Sequence, residues 1–356
     1  MNKVRVLIVD DSALMRQLLT EILTKDPHLE VVGTAGDPYV ARDKIMTLNP
    51  DVITLDVEMP RMDGLTFLEK LMASRPLPVV MVSSLTERGC QTTLRALELG
   101  AVDFVAKPKG DISTGMRDLA RELVLKIRGA SSAKVRPRSR SAQSPAEPIV
   151  KTQLQSSSLI TGSNKVVVIG ASTGGTEAMA EVLTKFPSDG PGVIATIHMP
   201  PGYTKSYAER LDRCCQVHVK EAVNGDRIQS GQVLIAPGDF HMEAVRSGSG
   251  YNVHISSGEK VSGFRPSVDV LFRSAARAIG SNAVGIILTG MGSDGALGML
   301  EMKKSGAQTI AQDEATSVVF GMPREAISKG GVDFIRPLQR IADQAIACCK
   351  GQPAMA

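Results

Sequence analysis

Ser172 lies in Val166-Val167-Val168-Ile169-Gly170-Ala171-Ser172-Thr173-Gly174-Gly175, where an apolar β-branched run ends in a G-x-S-x-G turn and a helical pattern begins. Such a turn lifts a hydroxyl onto the rim of a sheet, where it can act as a nucleophile. A serine hydroxyl is weak until a base takes its proton, and that base must itself be oriented. His198 closes the strand-like run Val193–Ile197 and so falls on the same rim; the competing reading is a capping or packing histidine. His241, in the loop Pro237-Gly238-Asp239-Phe240-His241, can line the site, whereas His218 and His254 sit in alternating patterns that suit half-exposed strand residues. Asp294 follows a buried-strand pattern in Leu288-Thr289-Gly290-Met291-Gly292-Ser293-Asp294-Gly295, which makes it the orienting carboxylate or an N-cap of the next helix. Asp269 and Asp313 are less well placed.

The chain order Ser, His, Asp differs from the Ser, Asp, His of α/β-hydrolases, so the elbow does not establish that fold. A nucleotide loop is the rival reading of Gly170–Gly175. It lacks the G-x-G-x-x-G spacing, and His198 stands where a ribose-binding acid would end the next strand.

A second set of reactive side chains lies upstream. Asp10 and Asp11 follow the first strand-like run, Asp56 the third, Ser83 the fourth and Lys107 the fifth. At the carboxyl edge of a doubly wound sheet these five converge. Three clustered carboxylates repel one another unless a hard cation joins them, and Mg²⁺ suits such an oxygen site.

The elements that must position these groups come in two runs. In residues 1–130, strand-like Val4–Val9, Glu30–Thr34, Val52–Leu55, Val79–Val82 and Val102–Val105 alternate with amphipathic stretches such as Ala13–Leu23 and Gly64–Met72. From residue 164 the alternation resumes, with strands at Val166–Ile169, Val193–Ile197, Gln216–Val219, Val233–Ala236, Ala283–Leu288 and Thr309–Ala311. Helices are expected at Thr176–Lys185, Val268–Ile279, Ala296–Lys304 and Leu338–Cys349, and Glu243–Arg246 with Asn252–Ile255 reads as an antiparallel hairpin on the sheet edge. The expected architecture is therefore α/β. A doubly wound, flavodoxin-like domain (1–130) precedes a linker (131–163) and a second doubly wound parallel domain (164–356).

The linker is rich in Ser, Gln, Pro and Arg and holds five basic residues against one acidic, which accounts for the whole net charge of +4. A basic tether without interleaved aromatics argues against nucleic-acid binding. No apolar run reaches membrane-spanning length, no signal-peptide pattern opens the chain, and the five cysteines form no C-x-x-C pair. These features fit a cytoplasmic protein with reduced thiols and no membrane insertion.

Residues 1–125 resemble the receiver domain of two-component response regulators. The resemblance implies that Asp56 accepts a phosphoryl group from a histidine kinase. It also implies that Asp10, Asp11, Asp56 and the backbone carbonyl of Glu58 hold Mg²⁺, that Ser83 and Lys107 contact the phosphoryl oxygens, and that Phe104 is the aromatic whose rotamer follows them. With a linker and then G-A-S-T-G-G, I-H-M-P-P, A-P-G-D-F-H, L-T-G-M-G-S-D-G and A-Q-D-E-A, nearly the whole chain resembles the chemotaxis protein-glutamate methylesterases of the CheB family. That resemblance implies Ser172 as nucleophile, His198 as base and Asp294 as orienter, with no cofactor in the second domain. It implies hydrolysis of γ-glutamyl methyl esters, and deamidation of certain glutamines, on chemoreceptors. Access to Ser172 would be gated by phosphorylation, and the chain would be monomeric. Backbone N–H groups at the glycine-rich turn (Thr173) and near Met291 are the expected oxyanion donors. The alternative is a response regulator whose second domain only binds DNA or a nucleotide.

Overall fold

The computed structural model describes residues 3–84, 86–107, 112–135 and 165–351. Most of the expected linker and the backbone around Pro108 lie outside these residues. The chain divides into two compact units, 1–143 and 144–356.

In the first unit, β1 (Val4–Val9), α1 (Ala13–Leu23), β2 (Leu29–Ala35), α2 (Pro38–Leu48), β3 (Val52–Asp56), α3 (Gly64–Ser74), β4 (Val79–Ser83), α4 (Glu87–Glu98), β5 (Asp103–Ala106) and α5 (Ile112–Ser131) alternate. The sheet order is β2-β1-β3-β4-β5, with every pairing parallel. Helix starts are specified by side chains: Ser12, Asp37, Asp63 and Thr86 each accept a backbone N–H at an N-cap. The direction of winding reverses between β1 and β3, so Asp10 and Asp56 face each other across the switch point.

The second unit comprises β6 (Val166–Ala171), α6 (Gly175–Leu183), β7 (Gly192–Ile197), α7 (Tyr203–Cys214), β8 (His218–Glu221), β9 (Gln232–Ile235), β10 (His241–Ser247), β11 (Gly250–Ser256), α8 (Val268–Ala278), β12 (Ala283–Ile287), α9 (Ala296–Lys304), β13 (Gln308–Gln312), α10 (Met322–Ser328), β14 (Phe334–Arg336) and α11 (Leu338–Cys349). Seven strands form a parallel sheet in the order β14-β13-β12-β6-β7-β9-β8. The strands β6, β7 and β12 are buried along their whole length, as a sheet covered on both faces requires. The hairpin β10–β11 differs from its expected place: it is a separate two-stranded sheet, not an edge of the large one. It is tied to α8 by the Ala244 N–H donating to Ser274 Oγ at 2.9 Å.

Winding in this sheet reverses at β6, with β7 on one side and β12 on the other. The loops after these three strands carry Ser172, His198 and Asp294. Gly170 lets α8 sit directly on β6, since a Cβ there would lie 2.2 Å from Val268 Cγ1 and 3.0 Å from Phe272 Cζ. Both neighbours are fully buried and have nowhere to go. Gly170→Ala is expected to destabilise the second unit by about 1–3 kcal/mol through overpacking. A lowered urea midpoint would show it; an unchanged midpoint would contradict this account of the α8–β6 contact.

Candidate active site

Ser172 is the first residue beyond β6. Its N–H donates to the Thr289 carbonyl at 3.1 Å, and its own carbonyl accepts from the Gly175 N–H at 2.6 Å, closing the turn into α6. Gly174 adopts φ 75°, which glycine permits without strain, and a Cβ there would clash with Val318. Gly290 is needed for the same close approach from the other side, because its Cβ would sit 2.8 Å from that of Ser172. Thr289 locks the two loops together: its hydroxyl donates to the Thr173 carbonyl at 3.0 Å, and its N–H donates to Gln312 Oε1 at 2.8 Å.

His198 follows β7, and its backbone N–H donates to the Ala171 carbonyl at 3.3 Å. Its Nδ1 lies 3.1 Å from Ser172 Oγ and its Nε2 lies 2.8 Å from Asp294 Oδ2. A carboxylate only accepts, so Nε2 carries the proton and the Nδ1 lone pair faces the serine hydroxyl. The two ring nitrogens are exchanged relative to the serine-protease arrangement. The imidazole side chain is 4% exposed and that of Asp294 is fully buried.

Asp294 accepts four hydrogen bonds, one of them from His198. Oδ1 accepts from Ser267 Oγ at 2.8 Å and from the Asp269 N–H at 3.1 Å, and Oδ2 accepts from the Val268 N–H at 2.7 Å. Three donors at the start of α8 thus hold it, and the positive end of that helix adds to them. Burial pushes its carboxyl up, but the hydrogen bond and charge of His198, with the Val268 N–H and Ser267 hydroxyl, bring it below the ordinary 3.8. The N-cap reading of Asp294 is replaced: Gly295 occupies the N-cap of α9, and the Asp294 side chain serves α8 instead.

The alternative carboxylates are used elsewhere. Asp269 accepts from the Gly298 N–H at 2.7 Å, and burial, with the charge of Asp294, raises its pKa. Asp313 holds the Thr316 N–H at 2.9 Å within its own loop. His241 is buried but not in the Ser–His–Asp chain. Its Nδ1 accepts from the Ser267 N–H at 3.2 Å, and its Nε2 donates to the Glu259 carbonyl at 2.8 Å. His218 and His254 are exposed on β8 and β11, as expected. The part played by Ser267 was readable as a serine capping an apolar periodic run. Nothing in the spacing pointed to its hydroxyl reaching Asp294.

In the first unit, carboxylate oxygens of Asp10, Asp11 and Asp56 all lie within 4.8 Å of one another. Lys107 Nζ reaches Asp10 at 3.1 Å and Asp56 at 2.8 Å. Burial raises the Asp56 pKa, with Asp10 adding to it and Lys107 opposing. Burial works to lower the Lys107 pKa, but the two aspartates outweigh it and the net shift is upward. Ser83 Oγ is buried and has no hydrogen-bond partner among the described residues. Glu58 is exposed beside this cluster in sequence, and Phe104 is buried with Lys126 Nζ 4.9 Å above its ring. An acidic, oxygen-only donor set fits Mg²⁺.

Among the described residues, no helix is long and apolar enough to cross a membrane. Residues 167–345 match the family model described as CheB methylesterase, and residues 6–114 match that of the response regulator receiver domain. A Burkholderia lata protein named protein-glutamate methylesterase/protein-glutamine glutaminase 3 is 57% identical over 97% of this chain and 96% of its own length. A Pectobacterium atrosepticum protein of the corresponding name is 56% identical over 98% of this chain and 97% of its own. The catalytic domain of the Thermotoga maritima CheB methylesterase superposes with a TM-score of 0.50 at 39% identity, covering 51% of this chain and 97% of that one. The chain belongs to the CheB methylesterase family, with a response regulator receiver domain preceding the esterase domain.

Proposed function

We propose that this chain is a phosphorylation-activated serine hydrolase that removes methyl groups from γ-glutamyl methyl esters on chemoreceptors and deamidates glutamines there. The observation that carries the chemistry is the hydrogen-bonded chain Ser172–His198–Asp294. Asp294 keeps the proton on Nε2, so Nδ1 takes the Ser172 proton as Oγ bonds to the ester carbon and the carbonyl π pair moves to oxygen. The tetrahedral intermediate collapses, the C–OCH₃ bond breaks, and the Nδ1 proton leaves with methanol. Water then attacks the acyl-enzyme, giving up its proton to Nδ1, and as the bond to Ser172 Oγ breaks that oxygen takes the Nδ1 proton back, which releases glutamate and restores the serine. With a glutamine substrate the first leaving group is ammonia.

Oxyanion stabilisation falls to the N–H groups of Thr173 and Met291. In a trans peptide the N–H points opposite to the preceding carbonyl. The Ser172 carbonyl is held by the Gly175 N–H and the Gly290 carbonyl by the N–H groups of Gly321 and Met322. The Thr173 and Met291 N–H groups are thereby turned away from those partners.

In the receiver, Asp56 is the phosphoacceptor from a histidine kinase. Asp10, Asp11, Asp56 and the Glu58 carbonyl would hold Mg²⁺, which offsets charge on the phosphoryl oxygens. Lys107, already on Asp56, and the Ser83 hydroxyl, which has no partner among the described residues, would contact those oxygens. The proposed boundaries are 1–130 for the receiver, 131–163 for the linker and 164–356 for the esterase. The chain is taken to act as a monomer. The basic excess confined to residues 131–163, without interleaved aromatics, supports a role without nucleic acid.

Ser172→Ala is expected to lower methanol release from methylated receptor by about 10⁴-fold or more, and Asp294→Asn by about 10³–10⁴-fold. Retained turnover in Ser172→Ala would refute the nucleophile. A small phosphodonor with Mg²⁺ should accelerate the wild type, while Asp56→Asn or chelation of the metal should abolish that acceleration without abolishing basal turnover. Asp294 also sets a pH signature. Its folded pKa lies below 3.8, so its contribution to stability is complete above that value and is lost as pH falls through the lower one. The urea midpoint of Asp294→Asn should lie below that of the wild type at neutral pH, and the gap should narrow only in strong acid.

A further inference from the structure

The Phe264 ring lies flat on the imidazole of His198, with centroids 3.7 Å apart and planes 6° from parallel. Its placement is specified locally. Val261 and Phe264 exchange both backbone hydrogen bonds, at 3.1 and 2.9 Å, across Ser262 (φ 55°) and Gly263 (φ 86°). Two consecutive positive φ angles in a two-residue loop give a tight type I′ turn. Arg265 anchors that turn. Its guanidinium donates to Asp239 Oδ1 at 3.0 and 2.7 Å and to the carbonyls of Ser257 and Gly258 at 3.1 and 2.8 Å. His241 ties down the same segment through the Glu259 carbonyl.

We infer that Phe264 is a positioning residue for the catalytic base, pinning the His198 ring in the plane it shares with Ser172 and Asp294. This rests on His198 being the base. Hydrogen bonds at the two ring nitrogens leave the imidazole free to rock about the axis through them, and the stacked aromatic blocks that rocking on one face. The electronics point the same way. Two neutral rings face to face at this distance oppose their quadrupoles, which is not the preferred stacking arrangement. An imidazolium in the same place is a cation over a π face well inside 6 Å. The contact therefore strengthens when the proton passes from Ser172 Oγ to Nδ1, and an interaction stronger in the transition state than in the ground state accelerates the step.

The test compares Phe264→Leu, which keeps apolar volume, with Phe264→Tyr, which keeps the ring, in the full-length chain. Phe264→Leu is expected to lower kcat about 10-fold with KM within about twofold. Phe264→Tyr should restore kcat. Phe264→Met serves if the leucine variant does not fold. An unchanged kcat, or a change in KM alone, would overturn the inference. If Phe264→Leu behaves as wild type while Ser172→Ala is inactive, the pinning role fails and the esterase reading stands. Turnover surviving Ser172→Ala would remove the esterase reading itself.

Discussion

The candidate active site depends on one buried carboxylate being held at one helix end. Asp294 is 1% exposed, and an isolated charge at such a depth is strongly unfavourable. It is tolerated because Ser267 Oγ and the N–H groups of Val268 and Asp269 converge on it from the start of α8, and His198 completes the set. Those donors are where they are because α8 lies directly on β6, over Gly170. The orientation of the imidazole is thus inherited from a helix–sheet contact, and Ser172, at the end of that same β6, is presented to it by the sheet.

The two units treat their key aspartates in opposite ways. Asp294 meets donors that favour the ionised form, and its pKa falls; Asp56 meets burial and Asp10, and its pKa rises despite Lys107. The first environment suits a permanent acceptor that never exchanges its proton. The second is an acidic cluster whose mutual repulsion a hard cation would offset. Buried Asp269, beside Asp294, shows that the separation is local: with backbone N–H partners of its own but the charge of Asp294 nearby, its pKa is raised. Both sites stand at the switch point of a parallel sheet, where the loops after neighbouring strands diverge and leave a crevice.

Much of this was legible in the chain because strand ends are legible. The runs that end at Val9, Ile169 and Ile197 are apolar and β-branched, and the helices Ala13–Leu23, Ala296–Lys304 and Leu338–Cys349 occur with the bounds that periodicity predicts. Residues at the ends of such strands or in the loops beyond them line the rim of their own sheet, which is why Ser172, His198 and Asp294, and separately Asp10 and Asp56, could be named together. Short β14 and α10 carried too little pattern, and β8 lies two residues later than expected. What could not be read was support arriving from distant loops. Ser267 reaching Asp294, Phe264 covering His198 and His241 holding Ser267 depend on tertiary approach, and no spacing encodes it. The hairpin pattern was visible, but its packing on α8 rather than on the sheet edge was not.

Whether Asp294, through His198, makes Ser172 the reactive hydroxyl of this chain is read by covalent labelling with a fluorophosphonate, followed by peptide mapping and rate measurement. A single adduct on Ser172 is expected in the wild type, with labelling slowed by orders of magnitude in His198→Ala. An adduct on another residue, or labelling of Ser172 at an undiminished rate in His198→Ala, would contradict it.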